Sequence, residues 1–199
     1  MAHSGRVLIV GAGGHGRSVA EALELLGVID IAGFVDDNWP CSSAVWSYPV
    51  LGDTSDFAAL RQYAELAVVA IGNNSAREHL TRRLTEAGFR LLTVIHPRAC
   101  VSPRAIVSAG VTVMAGAVVS AEAVLDEGAI VNCGAVVDHD CHVAAFGHLG
   151  VGACMAGGSA LGARALLQAG VAVGRGIRVP ADVVMPSAAG SIALEDGCS

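Results

Sequence analysis

One short stretch of this 199-residue chain concentrates residues that can move a proton. Asp138-His139-Asp140 places an imidazole between two carboxylates, and His142 and His148 follow, so three of the seven histidines fall within ten residues. A carboxylate beside an imidazole orients the ring and raises its basicity, which suits a general base working near neutral pH. We therefore take His139 as the candidate base and a flanking aspartate as its partner.

Other interpretations of this stretch stay open at the level of residues. A metal site could combine His139, His142 and the two aspartates, but their spacing suits a tetrahedral ligand set poorly, so we expect no metal. The six cysteines lack CxxC or other metal-type spacing. We interpret them as reduced thiols, with Cys133 and Cys141 as core residues rather than nucleophiles.

The histidines lie inside a six-residue repeat. Stepping by six from Val101 to Met185 meets fifteen aliphatic or Met residues, although only 28 of the 89 residues from 101 to 189 are Val, Ile, Leu or Met. A second row, from Ala105 to Ala189, is small or β-branched, and neither row carries a charge. A period of six fits neither an α-helix nor one long strand. It predicts a parallel β-helix of five coils with three hexads in each, and it directs His139 away from the apolar core.

A different element opens the chain. A strand, Arg6–Val10, runs into Gly11-Ala12-Gly13-Gly14-His15-Gly16, a helix is predicted over 16–26, and a second strand over 29–35 ends at Asp36-Asp37. This order is typical of a dinucleotide-type βαβ unit. Its glycines let backbone N–H groups approach a phosphate at the N-terminus of the helix.

The rest of the N-terminal half predicts helices over 55–64 and 75–87 and strands over 67–71 and 89–95. About four strands make one half of a dinucleotide fold, which is enough for a mononucleotide. Gly72-Asn73-Asn74 lies at the carboxyl end of a strand. Either a ligand contact or a helix cap formed by asparagine fits that position.

Composition narrows the classes of function. The net charge of −6 and the lack of a basic patch argue against a nucleic-acid partner. No run approaches the roughly 18 to 20 apolar residues of a membrane span, and no signal peptide is visible. All twelve basic residues are Arg, which excludes a Schiff-base or Walker A lysine. We divide the chain into an α/β domain, 1–96, and a β-helix domain, 97–199, and expect a cytoplasmic protein.

Taken together, these segments resemble a known family. The sequence is similar to the left-handed β-helix sugar acyltransferases, and most of all to the group of sialic acid O-acetyltransferase, bacillosamine N-acetyltransferase and perosamine N-acetyltransferase. The similarity covers residues 6 to about 187. It rests on the glycine loop at 11–16, Phe34-Val35-Asp36-Asp37, Ala70-Ile71-Gly72-Asn73-Asn74, Ile95-His96-Pro97, Asn132 to Cys141, and His148.

The resemblance implies roles for individual residues. By matching motif, His139 is the general base and Asp140 the carboxylate that raises its basicity. Acetyl-CoA is the implied acyl donor, contacted by His148 and by the backbone at Ala169 and Ser187. The residues implied to hold a nucleotide-sugar are Gly13, Gly14, His15, Asp36, Asp37 and Gly72.

The family also implies a homotrimer whose active sites lie between neighbouring β-helices. An oxyanion formed during acyl transfer needs a donor, for which a backbone N–H at Gly157 or Gly158 is our candidate. The sequence departs from the family at its end, because Ser191 to Ser199 replaces the usual Gly-x-Pro-Ala-Lys type tail.

Three hypotheses of function follow. The leading one is an acetyl-CoA-dependent N-acetyltransferase that acts on a UDP- or GDP-linked amino sugar, such as a 4-amino-4,6-dideoxy sugar, in surface glycan synthesis. An O-acetyltransferase of sialic acid or another sugar needs the same base and stays open. A nicotinamide-dependent enzyme, suggested by the glycine loop with Asp36, and a nucleotide-sugar-binding protein without catalysis are the more distant alternatives.

Overall fold

Two kinds of parallel β-structure follow one another in the computed structural model, which describes residues 5–39, 41 and 43–187. Ala189 and the tail from Ser191 to Ser199, on which the sequence pattern led to expectations, lie outside the described residues. The described residues of the N-terminal domain form six short strands and three helices. In chain order they are β1 (Arg6–Val10), α1 (Gly14–Leu26), β2 (Asp30–Val35), β3 (Ala44–Val45), β4 (Tyr48–Pro49), α2 (Phe57–Leu60), β5 (Leu66–Val69), α3 (Asn74–Glu86) and β6 (Arg90–Leu91).

The predicted four-stranded sheet is confirmed. Its order is β2-β1-β5-β6 and all its strands are parallel. The chain passes from β1 to β2 on one side and then to β5 on the other side of β1. The strand order therefore reverses beside β1, and ligands of open α/β sheets bind at the carboxyl ends of strands at such a point.

One prediction for this domain was wrong. The helix expected over 55–64 is the single turn of α2, which Asp56 caps by accepting a hydrogen bond from Ala59 N–H. The chain then turns, and Arg61 donates to the carbonyls of Ala64 and Glu65. The loop after Asp37 also contains an unpredicted hairpin, β3–β4, whose strands are two residues each.

The strand predicted over 89–95 is divided between the domains. Leu92 N–H still donates to Ala67 of the N-terminal sheet, whereas Val94 N–H donates to Val111 of the repeat region. The segment Val94–Ile95 (β7) pairs with Thr112–Val113 as the first strand of the second structure. The β-helix thus begins ahead of residue 97, where the sequence alone places the second domain.

The repeat region forms a parallel β-solenoid of about five turns. Its sixteen two-residue strands fall into three sheets, and strands in one sheet are eighteen residues apart. We call the sheets face 1, face 2 and face 3. Face 1 contains β7, β10 (Thr112–Val113), β13 (Ile130–Val131), β16 (His148–Leu149), β19 (Leu166–Leu167) and β22 (Val184–Met185). Face 2 contains β8 (Cys100–Val101), β11 (Val118–Val119), β14 (Val136–Val137), β17 (Cys154–Met155) and β20 (Ala172–Val173). Face 3 contains β9 (Ile106–Val107), β12 (Val124–Leu125), β15 (His142–Val143), β18 (Ala160–Leu161) and β21 (Arg178–Val179).

The two apolar rows of the sequence form the solenoid core. We call the row of fifteen aliphatic or Met residues from Val101 to Met185 the ladder. Every ladder residue is the second residue of a strand, and its side chain points inward. The buried cluster consists of these residues and most of the small row in the described part of the chain, Cys141 included, which is 1% exposed; Ile177 and Val183 of that row are exposed. The interpretation of Cys141 as a core residue is therefore confirmed.

The turns between strands are equally regular. Thirteen turn residues spaced by six, from Gly110 to Asp182, have φ between +56° and +71°. Eight of them are glycine, for which this conformation costs little. The five exceptions are Glu122, Asp140, Phe146, Arg164 and Asp182.

The N-terminal domain docks on face 1 and on the turns that lead into it. Arg77 of α3 donates to the carbonyls of Gly128 and Phe146, and Asn74 donates to those of Arg164 and Ala165. In the described part of the chain no helix is long and apolar enough to cross a membrane.

Replacing Leu125 by Ala tests the ladder. Leu125 is fully buried, so we expect a loss of about 2–5 kcal/mol in the free energy of unfolding, measured by denaturant titration at one protein concentration. Ile106→Ala is the matched control, because Ile106 lies in the neighbouring strand of face 3 but is 61% exposed. A loss of similar size at both positions would contradict the inward ladder.

Candidate active site

His139 lies in the turn that joins face 2 to face 3, between β14 and β15. The coils on either side place Ala121 and Gly157 at the same point of the turn. Asp140 N–H donates to Ala121 and Gly158 N–H donates to the carbonyl of His139, so this turn is fixed from both neighbouring coils. The His139 side chain is 55% exposed and points away from the core, in agreement with its position in the hexad.

Hydrogen bonds hold the His139 ring in one orientation. Its Nδ1 lies 2.7 Å from Asp140 Oδ2, and since a carboxylate can only accept, Nδ1 carries the proton. The Nε2 lone pair is then free to accept another proton. Asp138 fixes the backbone instead, because its Oδ1 accepts from His139 N–H at 2.8 Å.

The two aspartates also set the basicity of the ring. The hydrogen bond that His139 donates to Asp140, followed by the charge of Asp138, raises the pKa of His139 above its ordinary value, and desolvation of the ring and the charge of Arg175 oppose this rise. A raised pKa makes the neutral imidazole a stronger proton acceptor. This environment is that of a general base.

Gly157 makes room for that ring. A Cβ at position 157 would lie 2.6 Å from both Cε1 and Nε2 of His139. The ring therefore packs directly on the backbone of the next coil. Of the two glycines proposed to meet an oxyanion, Gly158 donates its N–H to His139, whereas Gly157 N–H has no acceptor among the described residues.

Asp140 reaches His139 from an unusual backbone conformation. Its φ is +57°, where most L residues cost roughly 1–2 kcal/mol although aspartate is tolerated. Glycine occupies the corresponding position of the next coil, Gly158. Glu122 takes the same conformation one coil earlier, so it is the histidine next to Asp140, and not the carboxylate alone, that distinguishes this turn.

The second site is a cavity of about 370 Å³ at the carboxyl ends of β1, β2 and β5. All six residues that the family resemblance implies for a nucleotide-sugar line it, together with five neighbours. The lining residues are Gly11, Gly13, Gly14, His15, Val35, Asp36, Asp37, Thr54, Ala70, Ile71 and Gly72. The N-terminus of α1 faces this cavity, so its unpaired N–H groups favour an anion there.

The two aspartates of the cavity are held differently. Asp36 accepts from Ala12 N–H at 2.8 Å and from Asn38 N–H at 2.9 Å. Burial opposes ionisation of this carboxyl, yet the hydrogen bonds hold its pKa below the usual value. Asp36 therefore anchors the glycine loop, whereas Asp37 accepts only from Thr54 among the described residues.

For the segment from Gly72 to Asn74, the sequence left open either a ligand contact or a helix cap, and its residues differ in position. Gly72 lines the cavity, and Asn73 caps α3 by accepting from Ala76 N–H at 2.9 Å. Asn74 docks the helix onto the solenoid through its amide nitrogen. The interpretation as a helix cap is confirmed for Asn73.

His148 lies on face 1 beneath the N-terminal domain, not beside His139. Burial first, then the charge of Arg77 and then His15 lower its pKa to about 4, against an opposing contribution from the Gly72 backbone. Neither ring nitrogen has a well-formed hydrogen bond with the described residues. Burial and Arg77 lower the pKa of His15 to about 4 as well, and its Nε2 lies 3.5 Å from Thr112 Oγ1.

Ala169 and Ser187 share the turn column between face 1 and face 2, one coil apart. Ser187 N–H donates to the side chain of Gln168 at 3.0 Å. Within one chain the predicted site residues thus fall into separate groups: the cavity with His15 and His148, the column of Ala169 and Ser187, and the turn of His139. Face 2 separates His139 from the column of Ala169 and Ser187.

Arg77 is the residue that sequence reasoning missed. It is 1% exposed, and its guanidinium joins the loop after β5 to two solenoid turns. Its spacing from Leu80 and Leu84 places it on the buried face of α3. That spacing is the feature of the sequence from which its burial could have been predicted. Among the described residues no group of three or more His, Cys, Asp or Glu could hold a metal ion.

Parts of this chain are similar in sequence to known proteins. The profile of the PglD N-terminal domain family matches residues 6–84. The chain is 33% identical over 98 residues to the UDP-N-acetylbacillosamine N-acetyltransferase of Bacillus subtilis, and the match spans 48% of this chain but 45% of that relative.

Solved structures match over a longer range. Perosamine N-acetyltransferase from Caulobacter crescentus, as a histidine-to-asparagine mutant in complex with CoA and GDP-perosamine, is 41% identical with a TM-score of 0.87, covering 91% of this chain and 85% of that one. The acetyltransferase domain of PglB from Neisseria gonorrhoeae, in complex with acetyl coenzyme A, is 35% identical with a TM-score of 0.72, covering 92% and 98%.

A hexapeptide solenoid joined to a glycine-loop domain, together with these matches, shows that the protein is an acyltransferase. The chain belongs to the family of sugar N-acetyltransferases that includes the perosamine enzyme.

Gly157→Ala tests the packing of the His139 ring. The new methyl group would displace the ring, so we expect the NMR signals of His139 to shift and acyl transfer to fall by at least about tenfold, with little change in stability. Gly174→Ala is the control, since its Cβ would meet only Ile177 at an ordinary 3.6 Å. Full activity in Gly157→Ala would show that the ring does not depend on this contact.

Proposed function

We propose that this enzyme transfers the acetyl group of acetyl-CoA to the amine of a nucleotide-linked amino sugar. A UDP- or GDP-linked 4-amino-4,6-dideoxy sugar for surface glycan synthesis is the proposed acceptor. The observation that carries the proposal is the His139–Asp140 pair, with Nδ1 bound at 2.7 Å and the partly exposed ring lying over Gly157. The complexes of the relatives with CoA, acetyl coenzyme A and GDP-perosamine support the choice of substrates.

The chemistry needs one base and one donor. The sugar amine attacks the thioester carbon, His139 Nε2 accepts the proton that the amine loses, and the C–S bond breaks to release CoA. Asp140 stabilises the imidazolium that forms, because it already accepts from Nδ1. We propose that Gly157 N–H meets the developing oxyanion, since its N–H is the uncommitted one of the two candidates.

We propose that the glycine-loop cavity of domain 1–96 binds the nucleotide-sugar through Gly13, Gly14, His15, Asp36, Asp37 and Gly72. Domain 97–199 would supply the base and the donor site, with Ala169 and Ser187 contacting acetyl-CoA through their backbone. His148 is the proposed link between the two substrates, because its buried, unpaired ring nitrogens lie next to Gly72 and His15.

We propose a homotrimer, because the base and the cavity are apart in one chain. None of the residues that line the cavity comes from the turn of His139. The outward positions of face 2 are all apolar or thiol (Cys100, Val118, Val136, Cys154 and Ala172), which suits contact with another copy.

We also propose a cytoplasmic location, since the five cysteines of the described part are free thiols.

The direct assay follows CoA release with acetyl-CoA and a panel of UDP- and GDP-linked sugars, each as the amine and as the matching hydroxyl compound. We expect turnover with an amine and little with its hydroxyl partner. His139→Gln should lower kcat by roughly 10²–10⁴-fold with nucleotide binding unchanged. Activity that survives within a few-fold would place the base elsewhere, and silence over the whole panel would contradict the proposed reaction.

Asp140→Asn tests how the base is tuned. Asp140 raises the pKa of His139, so its loss should lower that pKa. Because the neutral ring is the active form, the acidic limb of the kcat profile should then move to lower pH, while the maximal rate falls with the weaker base. A limb that stays in place would show that another group titrates. Asp126→Asn, which removes the partner of His142 only, is the control.

A further inference from the structure

Among the described residues, no arginine lines the glycine-loop cavity. Its lining includes the carboxylates of Asp36 and Asp37, and the pKa of His15 is too low for a charge at neutral pH. A nucleoside diphosphate brings further negative charge. If the proposed function is right, the cavity therefore needs a source of positive potential beyond its lining.

Arg77 is a cation of that kind. Its side chain is 1% exposed, and no carboxylate lies within salt-bridge distance of it among the described residues. Its guanidinium donates to carbonyl oxygens only, namely those of Ile71 at 2.9 Å, Gly128 at 2.8 Å and Phe146 at 2.7 Å, with Gly72 at 3.5 Å. Buried charges are normally paired, because carbonyl groups alone leave the net charge uncompensated.

The charge lies directly behind the wall of the cavity. Ile71 and Gly72 line the cavity, and their carbonyls point back to Arg77. His15 lines it too and responds to the charge of Arg77. The field of Arg77 thus reaches the space where the ligand would lie, although its N–H groups do not.

We infer that Arg77 is the buried counter-charge for the diphosphate of the nucleotide ligand. It acts as a positioning residue: it holds the Ile71–Gly72 wall, and its uncompensated charge adds to that of the α1 N-terminus. The ligand completes an ion pair that the protein leaves open. This inference rests on the proposed function of the cavity.

Arg164 shows the contrast. It also joins the domains, but its guanidinium pairs with Asp182 at 2.6 Å and with Glu78 at 3.0 Å. It lies outside the lining of the glycine-loop cavity. Arg164→Met therefore removes an interdomain arginine that has its own counter-ions, and it is the matched control.

The test compares the binding of a nucleoside, its monophosphate and its diphosphate, with uridine and guanosine series, by calorimetry. In Arg77→Met we expect the affinity for the diphosphate to fall by roughly tenfold or more, because the nearby positive charge is lost. The affinity for the uncharged nucleoside should change by less than about twofold. Arg77→Lys should recover most of the loss, and Arg164→Met should bind all ligands like the original protein.

A second measurement needs no variant and covers the case in which Arg77→Met does not fold. In the unaltered protein, affinity should rise with each added phosphate, and most of that gain should persist in about 0.5 M salt because a buried charge is little screened. A gain that disappears with salt, or equal losses for nucleoside and diphosphate in Arg77→Met, would overturn the inference. If the unaltered protein binds no diphosphate at all, the proposed function fails first.

Discussion

The structure depends on one geometric constraint: the chain must return to the same point of the solenoid after every eighteen residues. Hydrogen bonds between coils enforce it, as where Gly158 N–H donates to His139 and Gly176 N–H to Gly157. Fifteen inward ladder residues supply the burial that holds the coils together. Any residue is therefore stacked on the residues eighteen positions before and after it, and chemistry on the surface is arranged in columns.

The active turn is built from such columns. His139 can lie flat over its neighbouring coil because position 157 is glycine, and Asp140 can reach the ring because its turn position takes positive φ. On another edge, the turns at Gly128, Phe146 and Arg164 present carbonyls in successive coils, which α3 binds through Arg77 and Asn74. The same repeat thus supplies both the proposed base and the docking surface of the N-terminal domain.

The sequence could predict what repeats and what is local. The six-residue period determines the ladder, the outward direction of His139 and the burial of Cys141, and the strand–glycine–helix order determines the N-terminal sheet. It could not predict the division of the 89–95 strand, because the backbone N–H groups of Leu92 and Val94 donate to different sheets and both sheets must be in place before this difference arises. Arg77 was missed for the same reason, since its carbonyl partners at Gly128 and Phe146 are 51 and 69 residues away.

The central claim is that His139 of one copy serves the glycine-loop cavity of another. The most direct test mixes two inactive variants: His139→Ala, which keeps the cavity, and Gly72→Phe, which fills it, since position 72 has open space around its Cβ. After co-expression of equal amounts and purification of mixed assemblies, the account predicts recovery of about one quarter of the original activity. Each interface between two subunits then has about a one-in-four chance of combining an intact cavity with an intact base. Mixed assemblies that stay inactive would show that base and cavity must belong to the same chain, and would contradict the account.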